Sequence, residues 1–200
     1  METVRSFVAI LLPDELKLGL DKLQARLKVG NKPWIKWANP NGIHLTLKFL
    51  GNIPLNRINE ISRIMAETAW EIPPFHLKTQ GLGAFPNLNR VQVVWLGLGG
   101  ELDKLSQFQQ QIESNLSCLG FAPEARSFKA HLTLARLRPQ VSPDERQSLG
   151  QLISSTRIEA NYIIKVETVS LMKSQLTREG AHYSQLSSAS FGKNPSLLSL

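Results

Sequence analysis

The tetrapeptide His-Leu-Thr-Leu occurs twice in this chain of 200 residues, at His44–Leu47 and at His131–Leu134, and the two copies hold two of its four histidines. In an extended strand successive side chains point to opposite faces, so each histidine shares a face with the threonine two positions on, and the leucines face the other way. Each copy therefore sets an imidazole beside a hydroxyl. Imidazole titrates near neutrality, so two of them around one ligand can be held as a neutral base and a protonated acid.

In-line displacement at phosphorus needs that division of labour. One group takes the proton of an attacking water while the other protonates the leaving oxygen. The hydroxyls of Thr46 and Thr133 can hydrogen-bond non-bridging phosphate oxygens. A cyclic ribose phosphate suits such a pair, because ring strain assists opening and no metal is required. Metal ligation is the rival use of two histidines, but no carboxylate lies within a few residues of either motif, so His44 and His131 are read as catalytic, with no metal and no cofactor. His76, alternating out of Phe75-His76-Leu77, and His182, beside a turn, have no such threonine and are read as ordinary surface residues.

Arg136 is open at this level. Strict alternation from Thr133 puts it on the face opposite His131, whereas a bulge or its own length would bring it to a phosphate. By the same alternation Lys48 shares the face of His44 and Phe49 points into the core. Phe128, Trp34 and Trp37 offer rings for base stacking, with burial as the plainer role.

The elements that must carry these residues alternate between the two periodicities. Val4–Leu12 reads as a strand buried on both faces. Leu16, Leu20, Leu23 and Leu27 have helical spacing, and Gly30 follows that helix. Ile43–Leu50 alternates as a half-buried strand. A second helix carries Ile58, Ile61, Ile64 and Met65. Phe75–Thr79 and Val91–Leu98 read as strands joined by a loop over 81–89. A third helix, Leu102 to Leu119, ends at Gly120 and includes Cys118 as a small buried side chain. The second motif strand is Lys129–Leu137, and Ser142-Pro143-Asp144-Glu145 predicts a capped helix start. Strands at Tyr162–Leu176 and His182–Phe191 flank a turn at Arg178-Glu179-Gly180. The motifs are 131 − 44 = 87 positions apart, about half the chain, which suggests a duplicated α+β fold with helices 55–69 and 102–119 in different halves. Neither Gly81-Leu82-Gly83 nor Gly97-Leu98-Gly99-Gly100 completes a phosphate-binding glycine motif, so nucleotide folds of those classes are unsupported.

Composition adds bounds. The chain is 42% apolar with a net charge of +7, enough for a core and suggestive of an anionic partner. A single cysteine excludes an intramolecular disulfide. No segment has the roughly 18 apolar residues of a membrane helix, and the first apolar run, Phe7 to Leu12, is too short for a secretion signal. A cytoplasmic monomer that does not contact membranes is the expectation.

In order along the chain, Arg5-Ser6-Phe7-Val8-Ala9, His44 to Gly51, Gly81-Leu82-Gly83-Ala84-Phe85-Pro86 and His131-Leu132-Thr133-Leu134-Ala135-Arg136 resemble the motifs of the 2H phosphoesterases. Within them the match is to the RNA 2′,3′-cyclic phosphodiesterases, also called 2′-5′ RNA ligases, and it runs from about Val4 to Phe191. The resemblance implies a bilobal, duplicated α+β fold, with two antiparallel sheets, helices on the outside and a central cleft, as one domain over 1–191 and a tail over 192–200. It implies metal-independent hydrolysis of RNA 2′,3′-cyclic phosphate ends to 2′-phosphomonoesters and, in some members, ATP-independent 2′-5′ joining of tRNA halves. It assigns His44 as proton donor, His131 as proton acceptor, and Thr46, Thr133 and Arg136 as phosphate-binding residues. Three departures stand out. Ala130 replaces the proline that usually precedes the second histidine, which loosens strand entry without removing a catalytic group. The segment Lys36–Gly42 is unusual, and the tail has no family role.

Overall fold

The structure is a computed structural model that describes residues 2–30, 32–158, 161–177 and 180–193. Strand β1 (Thr3–Leu11) is followed by helix α1 (Asp14–Leu27), β2 (Ile35–Trp37), β3 (His44–Pro54), α2 (Ile58–Trp70), β4 (Phe75–Phe85), β5 (Val93–Gly100), α3 (Leu102–Ser117), β6 (His131–Leu137), α4 (Pro143–Ser155), β7 (Ile163–Val166), β8 (Thr168–Leu176) and β9 (Ala181–Ser190). Two antiparallel sheets result, one ordered β3-β1-β8-β9 and the other β2-β6-β5-β4-β7.

The duplication is visible in the strand order. In each sheet the motif strand (β3 or β6) pairs with the strand that opens its half (β1 or β5), with two further strands beyond. Only β2 breaks the correspondence, adding an edge strand outside β6. Two of the helices, α1 and α3, are exchanged between the halves. α3 follows β5 of the second sheet yet packs on α2 and on β3 of the first. α1 leaves the first sheet and reaches the second, where a Cβ on Gly19 would collide with the Tyr162 ring. Helices 55–69 and 102–119 thus belong to different sequence halves, as the motif spacing predicts, but lie against each other in space.

The apolar periodicities are spent as expected. Leu16, Leu20, Leu23 and Leu27 of α1 and Leu105, Phe108, Ile112 and Leu116 of α3 are buried in one continuous core. Ser142 caps α4 with the reciprocal Glu145 bonds of a capping box, which satisfies donors that the first turn would otherwise leave unpaired.

The structure departs from the sequence reading in several places, among them β3, which runs past Leu50 to Pro54, and β2, a short strand where a loop was expected. The loop expected over 81–89 is largely strand: β4 continues to Phe85 through a register shift between Thr79 and Leu82, and Gly81 takes a φ of +67° there, so glycine bends the strand rather than ending it. The strand expected over Tyr162–Leu176 is two strands. β7 pairs with β4 in the second sheet and β8 with β1 and β9 in the first, so Glu167 marks a crossing between sheets. Cys118 is exposed rather than buried, because it caps α3 outside the apolar stripe. The turn expected at 178–180 and the tail beyond 193 fall wholly or partly outside the described residues.

Candidate active site

Both motif strands open on their histidine and both bury their leucines, and β3 and β6 pack against one another. The geometry of the two copies is the same in two respects. His44 Nδ1 lies 2.8 Å from the carbonyl of Gly42, and His131 Nδ1 lies 2.7 Å from the carbonyl of Lys129. A carbonyl can only accept, so Nδ1 carries the proton in both rings, and Nε2 is the nitrogen left to work on a ligand.

The second shared feature is a bulge at the same motif position. In β3 the pairing steps from Val8–Lys48 to Ala9–Thr46, leaving Leu47 as the extra residue. In β6 it steps from Val94–Ala135 to Trp95–Thr133, leaving Leu134 as the extra residue. An extra residue reverses the phase of alternation beyond it. This settles two points that strict alternation misread or left open. Arg136 returns to the face of His131 and Thr133, where it is exposed and its charge acts on His131. Lys48 turns inward instead of joining His44: it is almost fully buried, with Nζ 2.6 Å from Glu113 Oε2 and 3.0 Å from the Ala122 carbonyl. Phe49 correspondingly emerges, 57% exposed, beside Phe7 at 6.2 Å between ring centroids.

The surroundings of the two imidazoles are unlike. His44 is stacked on Phe7 at 4.6 Å and meets the edge of Tyr183 at 4.9 Å. Phe7, Ala9 and Met172 form an apolar cluster of their own beneath it. His131 meets Phe85 edge-on at 5.0 Å and Trp95 at 6.4 Å. The Lys129 ammonium sits over Trp95, 4.5 Å from its centroid, and 5.6 Å from that of Phe85. Trp95 lies so close over β4 that any Cβ at Gly83 would strike its ring, which gives the glycine its reason.

These surroundings set the charge states. Burial lowers the pKa of His44, against the raising effect of the bond to Gly42. Burial also lowers that of His131, with the positive charges of Arg136 and Lys129 acting in the same direction. Both rings are therefore biased toward neutral imidazole in the unliganded protein. Among the described residues, neither the hydroxyls of Thr46 and Thr133 nor the Arg136 guanidinium has a hydrogen-bond or ion-pair partner, so these polar groups on the histidine faces stand ready for a ligand.

Of the residues singled out in the sequence, His44 and Thr46 lie on β3 and His131, Thr133 and Arg136 on β6, two strands that pack against one another. His76 and His182 are exposed elsewhere. Phe128, Trp34 and Trp37 are half-buried against the core, with Lys28 lying over Trp37 and Lys32 over Trp34. The walls Phe7, Tyr183, Phe85 and Trp95 went unread as site residues. Register supplies the missing signal, since Trp95 pairs opposite Thr133 and Phe7 opposite Phe49. Two surface depressions lie elsewhere, one along α3 from Asp103 to Ser114 and one around Trp34 and Arg138. Neither touches a motif residue. Among the described residues no three His, Cys, Asp or Glu side chains gather as a metal-binding group, and no helix is long and apolar enough to cross a membrane.

A duplicated two-sheet fold with one His-x-Thr motif on each facing strand is that of the two-histidine phosphoesterases. The chain belongs to the LigT-like phosphoesterase family, whose family model matches it twice, over residues 10–95 and 98–183. It is 31% identical over 183 residues to a protein of Methanothermobacter thermautotrophicus named RNA 2′,3′-cyclic phosphodiesterase, covering 92% of this chain and 96% of the relative. An Aquifex aeolicus protein of the same name is 27% identical over 184 residues, covering 92% and 95%. Escherichia coli LigT, solved with 3′-AMP, superposes with a TM-score of 0.77 at 24% identity, covering 96% of this chain and all of the other. TT0787 of Thermus thermophilus superposes with a TM-score of 0.74 at 23% identity, covering 95% and 99%.

Proposed function

We propose that the protein hydrolyses RNA 2′,3′-cyclic phosphate ends to 2′-phosphomonoesters by paired histidine acid–base catalysis without a metal. The observation that carries this reading is the matched pair of backbone bonds, Nδ1 of His44 to Gly42 and Nδ1 of His131 to Lys129, which leaves two Nε2 atoms on facing strands for one ligand. The shared name of the relatives supplies the substrate class.

In the step, His131 Nε2 accepts a proton from water as the water oxygen attacks phosphorus. The bond from phosphorus to the 3′ oxygen breaks, and protonated His44 delivers its Nε2 proton to that oxygen. The 2′ ester remains, the product is a 2′-phosphate beside a free 3′-hydroxyl, and the proton lost by His44 is balanced by the one gained by His131. Thr46, Thr133 and Arg136 hold the non-bridging oxygens, where charge builds in the transition state. Two cations beside His131 oppose its protonation, which suits the base, whereas His44 sits among aromatic rings. If the 5′-hydroxyl of a second RNA replaces water, the same step joins two ends, such as tRNA halves, through a 2′-5′ bond without ATP.

The test is an RNA oligonucleotide ending in a 2′,3′-cyclic phosphate, incubated in EDTA. A 2′-phosphate end that disappears with His44→Ala or His131→Ala supports the reading. Tight binding without turnover identifies a binding module instead, a 3′-phosphate end reverses the leaving-group assignment, and inhibition by EDTA overturns metal independence.

A further inference from the structure

We propose that Gln24 of α1 is the positioning residue that sets both half-sites, by holding the backbone where it enters the first motif and where it bulges in the second. Its side chain is fully buried. Nε2 donates to the Ala38 carbonyl at 2.9 Å and to the Leu134 carbonyl at 3.1 Å. Both partners are carbonyls and can only accept, so the orientation of the amide is fixed by the network. Oε1 is buried with no partner among the described residues. An orphaned acceptor carries a desolvation cost, and an apolar side chain of equal length would avoid it. The amide is therefore explained by what Nε2 does.

Both carbonyls occupy places that matter to the site. Leu134 is the extra residue of the β6 bulge, the feature that turns Arg136 onto the face of His131. Its carbonyl also accepts from the Ala38 N–H at 2.8 Å, so Gln24 and Ala38 together hold the bulge from the side of β2. Ala38 is the first residue after β2, and four residues later comes Gly42, whose carbonyl fixes the tautomer of His44. The Ala38 N–H extends the β2–β6 ladder one step past Trp37, and the amide of Gln24 bridges the two carbonyls of that step, joining the approach to His44 with the exit from His131.

The proposal rests on the hydrolase reading above, and two measurements separate their failures. The first is kcat/KM on RNA ending in a 2′,3′-cyclic phosphate, for Gln24→Met and Arg136→Ala singly and combined. The second is titration of each variant with inorganic phosphate by NMR, which needs no turnover. Met keeps the length of Gln and removes the donor. Gln24→Met is expected to lower kcat/KM about tenfold when Arg136 is present and about threefold when it is Ala, since misplacing Arg136 costs nothing once it is gone and only the share that passes through the approach to His44 remains. Phosphate affinity follows the same pattern, while the change in Tm is the same in both backgrounds. Equal fold losses in both backgrounds, or wild-type kcat/KM and phosphate affinity in Gln24→Met, overturn the proposal. If wild-type protein turns over no RNA, the hydrolase reading fails and the phosphate titration still decides the role of Gln24. Gln24→Asn, which keeps the amide but falls a methylene short, serves the same comparison if Gln24→Met does not fold.

Discussion

Phe49 and Arg136 stand at the same place in the two half-sites: each follows its motif histidine by five residues and lies just past a bulge at the motif's last leucine. One place is filled by an aromatic ring and the other by a guanidinium. The fold is duplicated, but the charge is not: aromatic rings stand beside both imidazoles, whereas the cations Arg136 and Lys129 act on His131.

From that asymmetry Arg136→Ala is expected to lower kcat/KM about 100-fold, the scale of one lost charge-assisted contact to a developing phosphate charge. Phe49→Ala should cost at most a few-fold. Arg136 is exposed, so its loss should leave Tm within a degree or two. Steady-state kinetics beside a thermal melt checks this, and a large fall in Tm with Arg136→Ala would mean that the arginine serves the fold.

The acid and base can be told apart by the leaving group. An activated 4-nitrophenyl phosphodiester departs without protonation, so a missing general acid matters less for it than a missing base. His44→Ala should lose at least ten times less activity on such a substrate than on a cyclic phosphate end, and His131→Ala should lose about equally on both. The reverse pattern would exchange their roles.

The twin motifs, their threonines and the half-length spacing were legible in the sequence because alternation and identity are local properties. The face of Arg136, Lys48 and Phe49 was not. A bulge is a property of two paired strands, and nothing within His-Leu-Thr-Leu says that the partner strand skips a residue. The aromatic walls were hidden for the same reason: Trp95 and Phe7 lie on other strands and reach the histidines through register. The crossing at Glu167 was invisible too, because β7 and β8 read as one apolar strand until their different partners are known.

The lowered pKa values fix a sign for stability against pH. Both histidines have folded-state values below their unfolded value of about 6.5. Their contribution is therefore fully present above about 6.5 and is lost as the pH falls through the folded-state values, because the unfolded chain then binds more protons. The denaturation free energy should drop as the pH falls below about 6.5, and the drop should shrink in His44→Phe and His131→Phe. Chemical denaturation across that range checks it, and an undiminished drop in both variants would assign the effect to other groups.

Rates follow the same electrostatics. Free enzyme should show a bell-shaped kcat/KM profile with its optimum on the acid side of neutrality, since neither imidazole holds its proton strongly. A bound phosphodiester brings a negative charge beside the proton donor and raises its pKa. The alkaline limb of kcat should therefore lie at higher pH than that of kcat/KM, with both limbs belonging to the coupled pair. Coincident alkaline limbs would mean that substrate charge does not reach the acid.

Lys48 gives the last prediction, and it concerns the strand behind the site. Its ammonium is enclosed, bound to Glu113 and to the Ala122 carbonyl, and Glu113 also accepts from the Glu124 N–H. The bulge at Leu47 thus sends a charge into the core, where it ties β3 to α3 and to the segment after it. Lys48→Met leaves the Glu113 carboxylate, 15% exposed, without its cation. Breaking such a pair from one side costs about 3–5 kcal/mol, roughly 6–20 °C in Tm for a chain of this size. Removing both charges, in Lys48→Met with Glu113→Leu, should recover much of that loss, because the cost lies in the stranded charge more than in the missing attraction. If the double variant melts as low as the sum of the two single ones, the pair is held by packing around its stems and not by the charge balance.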